Sequence, residues 1–328
     1  MAKPPLAMPR LMPPVTTPFV SGASCLDVAN GAFGRWRTLP VGLAGTWVDN
    51  GAPWPLESPR GEYLHWRGDL DFAPQYAFDD TFTWAAMARG EYDDRLRRDL
   101  ERLKYFWGDR SSTLYYRFQH EFNGHWYPWS VADDDIPVYL EGWRRFAAIF
   151  RETLEYDPRF RIVWSPNGGT RSRDIRNIAD TYPGSRYLDV IGLDYYDFFD
   201  ATTQEAWTES LYAVDEGGGP VGLAAWREFA EESGRPLALS EWGQQRGDNP
   251  IFIRGMQAFF DEWRYTGEGS SAGRIVYDCY FNQRLRAEAT PDTEGDFLVE
   301  EDGEDHALRP NASAAYRELW SVWSLPTG

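Results

Sequence analysis

The sequence predicts an α/β fold, a single (β/α)8 barrel, on three observations. Short apolar runs alternate with longer helical patterns along the chain, the mark of a parallel sheet covered by helices. The length, 328 residues, suits one barrel of roughly 250 residues with decorations. Polar clusters follow directly after the predicted strands, where such a barrel places its active site. A doubly wound sheet would show a Gly-rich phosphate turn after its first strand, and none is found.

Residues 1–30 read as an extended Pro-rich arm, with six prolines in residues 1–24, and residues 31–328 as the barrel. Strands are expected at Val41–Trp47, Leu70–Gln75, Thr113–His120, Arg161–Trp164, Leu188–Asp194, Pro236–Ser240 and Arg274–Phe281. Each is rich in Val, Ile, Leu or Tyr and bounded by turn formers. That makes seven; the eighth is expected as a short strand near Phe82–Ala86. Between them, Leu96, Leu100, Leu103 and Trp107 recur at helical spacing, as do Leu140, Trp143, Ala147, Phe150 and Leu154. Trp226, Phe229 and Ala230 mark a third helix, ended by Gly234. Phe252, Met256, Phe259, Phe260 and Trp263 mark a fourth, and Tyr316, Leu319, Trp320 and Trp323 a last. These stripes are core faces. Pro291–Asp305 holds eight acids and no Lys or Arg. It reads as a solvated loop before the last helix; its spacing does not fit an EF-hand.

Composition narrows the partners. The net charge of −18 argues against nucleic acid, which needs a basic surface to neutralise phosphate. No apolar run reaches the ~20 residues of a membrane span. Two cysteines exclude a multi-Cys metal site and leave a Cys25–Cys279 bridge open. The chain carries 16 Trp, 18 Tyr and 19 Phe, many beside acids, as in His125-Trp126-Tyr127-Pro128-Trp129. Flat rings stack on the C–H face of a pyranose while acids and amides bond its hydroxyls. The expected partner is a polysaccharide or oligosaccharide.

The densest stretch is Tyr115–Trp129, YYRFQHEFNGHWYPW. Strict alternation would put Tyr115, Arg117, Gln119 and Glu121 on one face. Burying Arg117 and Glu121 unpaired would cost several kcal/mol, so a carboxyl at the strand's mouth with Arg117 one layer below is the functional reading. His120-Glu121 begins like HExxH. The next histidine, His125, is one residue too far, and Asn123-Gly124 would break the helix that motif requires. Leu237-Ala-Leu-Ser-Glu241-Trp242-Gly243 ends a second strand in a carboxyl. Two carboxyls at barrel-strand mouths are the minimum for glycoside hydrolysis: one protonates the leaving oxygen, the other attacks the anomeric carbon. Trp47 and Asp49, Asn167, Asp194 with Tyr195 and Tyr196, and Asp278 stand at or near the ends of other strands.

His120-Glu121-x-Asn123-Gly124-x-Trp126-Tyr127-x-Trp129 resembles glycoside hydrolase family 26, best known for β-mannanases, among the retaining (β/α)8 glycosidases. The resemblance covers about residues 31–285. It implies Glu121 as acid/base on the fourth strand, Glu241 as nucleophile on the seventh, and His120 and Trp126 lining the −1 sugar site. It also implies Tyr196, or Tyr195 beside it, close to the nucleophile. Trp129, Trp242, Tyr280 and Arg117 complete the candidate binding set. The family's mannanases carry a sugar-stacking Trp at the end of strand eight; here Tyr280-Phe281-Asn282 stands there, so that platform is replaced or moved.

The expected activity is retaining, endo-acting hydrolysis of a β-linked polysaccharide, β-mannanase-like, without metal or organic cofactor. Mixed-linkage β-glucan, β-1,3-xylan or a microbial envelope glycan are alternative polymers. A non-catalytic carbohydrate-binding or adhesin protein is the alternative class. The protein is expected to be monomeric and to act outside the cell, although no leader pattern is read at its start.

Overall fold

The computed structural model describes residues 3–321, apart from 5, 26, 49–62, 75–81, 170–173, 198, 200, 291, 293 and 294. Eight parallel strands close into a barrel in sequence order: β1 Val20–Ser24, β2 Leu43–Val48, β3 Asp69–Pro74, β4 Leu114–Arg117, β5 Phe160–Trp164, β6 Val190–Tyr196, β7 Leu237–Gly243 and β8 Ile275–Phe281. Among the described residues the helices are α1 Ala32–Trp36, α2 Trp84–Arg89, α3 Asp93–Trp107, α4 Ile136–Thr153, α5 Gln204–Ser210, α6 Leu223–Glu232, α7 Pro250–Trp263 and α8 Pro310–Ser321. The chain is thus a (β/α)8 barrel, and none of the described helices is long and apolar enough to cross a membrane.

The strand missing from the sequence reading is β1. It lies inside the segment expected as an arm, and residues 84–86 belong to α2 instead. The sequence of β1, Val-Ser-Gly-Ala-Ser, carries a single β-branched residue, so propensity does not mark it. Its neighbours explain the small side chains. A Cβ on Gly22 would stand 2.6 Å from the Leu43 carbonyl oxygen and 2.7 Å from that of Asp278. The pairings of β1 with β2 and of β1 with β8 close the barrel there.

The helical stripes face the core, with Leu140, Phe229 and Trp263 partly buried and Trp323 outside the described residues. Leu96, Leu100, Leu103 and Trp107 of α3 face inward, and α4 buries Trp143, Phe146, Ala147 and Phe150. Caps set the starts: the Thr83, Thr203 and Asn249 side chains accept backbone N–H bonds from the first turns of α2, α5 and α7, satisfying donors that the helix leaves unpaired. Ahead of β1 the chain runs as a strap. Arg145 donates to the Pro4 carbonyl at 3.0 Å and Arg161 to that of Pro13 at 2.7 Å. Val15 joins Leu43, Tyr115, Val163 and Val190 in the barrel interior.

The acidic segment is not a solvated loop. Its described part folds back, with β9 Glu300–Glu301 pairing β10 Glu304–Asp305. Asp296 and Glu300 are buried. The Asp296 carboxylate faces His306 Nε2 at 3.2 Å, and Arg309 donates to the Asp296 carbonyl at 2.7 Å. Cys25 and Cys279 are free thiols, and burial pushes the Cys25 thiol up to about 12.

Candidate active site

Chemistry gathers where the strands end. Arg117, the last residue of β4, is the hub of the floor. Its Nε stands 2.7 Å from Asp71 Oδ1 of β3, and Nη1 donates to Asp194 Oδ1 of β6 at 2.7 Å. Nη2 donates to Glu241 Oε1 of β7. A register shift between β6 and β7 sets Asp194 opposite Glu241. The guanidinium is buried with three carboxylates around it. Burial pushes the carboxyls of both Asp71 and Asp194 upward, opposed by the Arg117 charge, while the three acids hold Arg117 protonated.

Glu241 is met by two further donors: Trp47 Nε1 to Oε1 at 3.1 Å and the Tyr196 hydroxyl to Oε2 at 2.9 Å. Three donors therefore aim this carboxylate from below and from one side, leaving it open to the cavity above.

Glu121 is placed differently. The β4 alternation stops at Arg117, and the chain turns with Gln119 at φ 50° and Glu121 at φ 51°. Two non-glycine residues in the left-handed region are a strained arrangement of the kind that surrounding contacts must hold. Those contacts are present. Glu121 N–H donates to the Ser165 carbonyl at 2.8 Å, and Trp129 Nε1 to the His120 carbonyl at 2.7 Å. Asn123 exchanges two 2.8 Å bonds with the Asn167 backbone. That lock delivers Asn167 Nδ2 to Glu121 Oε1 at 2.6 Å, while Trp126 Nε1 reaches Oε2 at 2.9 Å. Burial, reinforced by the Glu241 charge, pushes the Glu121 carboxyl up to about 7. His120 is buried with Tyr127 Oη 3.3 Å from its Nε2. Burial and the Arg117 charge hold it well below the usual histidine range, so it is neutral at pH 7.

Both carboxyls open into one cavity of about 600 Å³, walled by Trp47, His120, Trp126, Asn167, Tyr196 and Phe281 among others. Trp47 and Gln283 also line a neighbouring cavity of about 410 Å³, where Asp27, Tyr63 and Glu300 stand. The two cavities thus lie on either side of Trp47 and Gln283. A raised carboxyl, which can carry a proton near neutrality, thus faces a carboxylate held by three donors across a space of ligand size.

Several expected residues stand elsewhere. Asp194 lies beneath the site rather than in its wall, and so does Arg117, one layer below the carboxyls as its strand position suggested and outside the binding wall. Tyr195 follows the strand alternation to the helix side and packs in the main core. Trp242 also faces outward, donating to Asp278 Oδ2 at 2.8 Å and packing on Phe252, Phe260 and Tyr280. Tyr280 is buried with it. Trp129 is a buttress, stacked on Tyr127 at 4.2 Å. Asp49 lies outside the described residues.

Residues missed by the sequence reading are Asp71, Tyr127, Gln245, Phe281, Gln283, Leu285 and Phe297. An aspartate within an apolar strand was a usable signal for Asp71. Period-two alternation, properly phased, would have selected Phe281 over Tyr280. Nothing local marks Phe297.

The model of glycosyl hydrolase family 26 matches residues 72–263. A mannan endo-1,4-beta-mannosidase of Bacillus subtilis is 32% identical over 105 residues, 30% of this chain and 27% of the relative. Endoglucanase H of Acetivibrio thermocellus is 21% identical over 276 residues, 78% of this chain and 27% of the relative. The chain spans from 12% to 42% of the length of the curated relatives it matches. Among solved structures, a modular endo-beta-1,4-mannanase of Cellulomonas fimi superposes with a TM-score of 0.60 at 17% identity, over 91% of this chain and 70% of that one.

Proposed function

The chain belongs to glycosyl hydrolase family 26, and from that premise we propose that it is a retaining, endo-acting β-glycosidase of β-mannanase type. The observation that carries this reading is the unequal pair of carboxyls in one cavity. Glu121, raised to about 7, suits the acid that protonates the leaving glycosidic oxygen. Glu241, aimed by Arg117, Trp47 and Tyr196, suits the nucleophile. In the first step a Glu241 oxygen bonds the anomeric carbon as the glycosidic bond breaks, and the Glu121 proton goes to the departing hydroxyl. In the second, Glu121 takes a proton from water, which attacks the same carbon and frees Glu241. Neutral His120 and the Trp47, Trp126 and Tyr196 rings would line the sugar sites.

Endo action is supported by the second cavity beside Trp47 and Gln283, which adds space next to the one that holds the carboxyls. β-1,4-Mannan is the first candidate, from the likeness to mannan endo-1,4-beta-mannosidases. The likeness to an endoglucanase keeps β-glucan as the second. We further propose a monomer that acts outside the cell.

The test is reducing-end release from β-mannan, galactomannan, mixed-linkage β-glucan, β-1,3-xylan and bacterial envelope polysaccharides, with Glu241→Ala as control. Release by the wild type, absent in the variant while its circular dichroism is unchanged, is the expected result. Oligosaccharide binding without release from any polymer would replace the enzyme with a carbohydrate-binding protein.

A further inference from the structure

We propose that Phe297, delivered by the acidic segment after β8, is a binding contact for the sugar that Glu241 attacks, an inference that rests on the glycosidase reading. The residue lies in a stretch with no aromatic neighbour in sequence, yet its ring enters the cavity that holds both carboxyls. It meets Tyr196 at 4.9 Å and Phe281 edge-on at 5.1 Å. Phe281 in turn meets Trp47 edge-on at 5.3 Å. Tyr196 and Trp47 are the two side chains that join Arg117 in bonding Glu241. The four rings form one apolar wall around the nucleophile.

The sugar that Glu241 attacks must lie against that carboxylate, and so against the rings of Tyr196, Trp47, Phe281 and Phe297 that surround it. The Phe281, Phe297 and Leu285 side chains offer no hydrogen-bond donor and suit the C–H face of a pyranose, while the Gln245 and Gln283 amides of the same cavity suit its hydroxyls.

Phe297 is also held to a fixed base, as a positioned contact requires. Its N–H donates to the Gln283 carbonyl at 3.0 Å, and its carbonyl accepts from the Tyr280 hydroxyl at 3.1 Å. The preceding residue, Asp296, is pinned by His306 and Arg309. The folded-back acidic segment thereby adds a second ring beside Phe281, the last residue of β8.

The test compares Phe297→Leu and Phe297→Trp with the wild type on the polymer it cleaves and on oligosaccharides of that polymer. Leu keeps the apolar burial and loses the flat face; Trp keeps the face. The expected result is a KM raised about 3- to 10-fold in Phe297→Leu, the worth of an aromatic contact, with kcat within about threefold. Phe297→Trp should stay nearer to wild type in KM than Phe297→Leu, and both changes should lower the melting temperature at this buried position. A uniform loss of ground-state and transition-state binding appears in KM alone, which a merely structural role would not produce. If Phe297→Leu matches the wild type in KM, or if Phe297→Leu and Phe297→Trp raise KM equally, the assignment falls while the glycosidase reading stands. If the wild type cleaves no polymer, the glycosidase reading falls, and this inference with it.

Discussion

Replacing Glu121 by Gln separates the two properties of that carboxyl, its proton and its buried charge. The folded protein raises it from 4.5 to about 7, mainly by burial. A carboxyl raised in this way favours the folded state below pH 4.5, and that contribution is lost as the pH rises through about 7. At 1.36 kcal/mol per pH unit, the window amounts to about 3 kcal/mol. Gln does not titrate and escapes this loss. It does lose one hydrogen bond. Asn167 Nδ2 and Trp126 Nε1 both donate to Glu121, and an amide offers a single oxygen, so the change costs about 1 kcal/mol. The variant should match the wild type within about 1 kcal/mol at pH 5 and exceed it by about 2 kcal/mol at pH 8. Urea unfolding at the two pH values measures this directly. An equal difference at both pH values would refute the buried-charge argument, as would a wild type that is the more stable at pH 8. Activity supplies a second readout. The wild-type kcat/KM should fall above pH 7 as Glu121, the proposed acid, loses its proton. Glu121→Gln should lose about 10²- to 10⁴-fold on the polymer and far less on an aryl glycoside, whose leaving group needs no proton.

Arg117→Met leaves Asp71 and Asp194 buried around a neutral side chain, and removing one partner of a buried ion pair costs about 3–5 kcal/mol. Denaturant unfolding at pH 7 should show that loss, and a change below about 1 kcal/mol would mean that the floor is not held by this cation. Tyr196→Phe removes the hydroxyl 2.9 Å from Glu241 Oε2. A hydrogen bond to a charged group is worth about 1.5–3 kcal/mol, so kcat/KM should fall about 10- to 100-fold at nearly unchanged melting temperature. Unaltered kinetics would remove Tyr196 from the set that aims the nucleophile.

The five longer helices were legible because each buries one stripe; α1, α2 and α5, of 5, 6 and 7 residues, are too short to show a helical period. Residues 96–107 and 140–154 repeat their apolar positions at the helical period, and they are helical in the protein. Seven strands were legible as apolar runs, and their regular alternation with helices already implied the barrel. β1 was not, because its identity depends on space rather than propensity: Gly22 is required by the close approach of strands β2 and β8 on either side. The motif from His120 to Trp129 was legible because chemistry needs those residue types close together in sequence. Its geometry was not. The left-handed turns at Gln119 and Glu121 end the alternation that would have placed Gln119 beside Arg117 on the strand face.

By itself, then, the sequence determined the fold class, the helix faces and the two carboxyls, since periodicity and local motifs are written within a dozen residues. Only the tertiary structure decided which side chains surround those carboxyls. Tyr195, Trp242 and Tyr280 differ from their site-facing neighbours by one position in a strand, and a one-residue step reverses the face. Asp71 and Phe297 reach the site from segments far away in sequence. Burial and the charges of neighbours set the Glu121 proton near neutrality, and a buried cation shared among three carboxylates exists only once four strands have met.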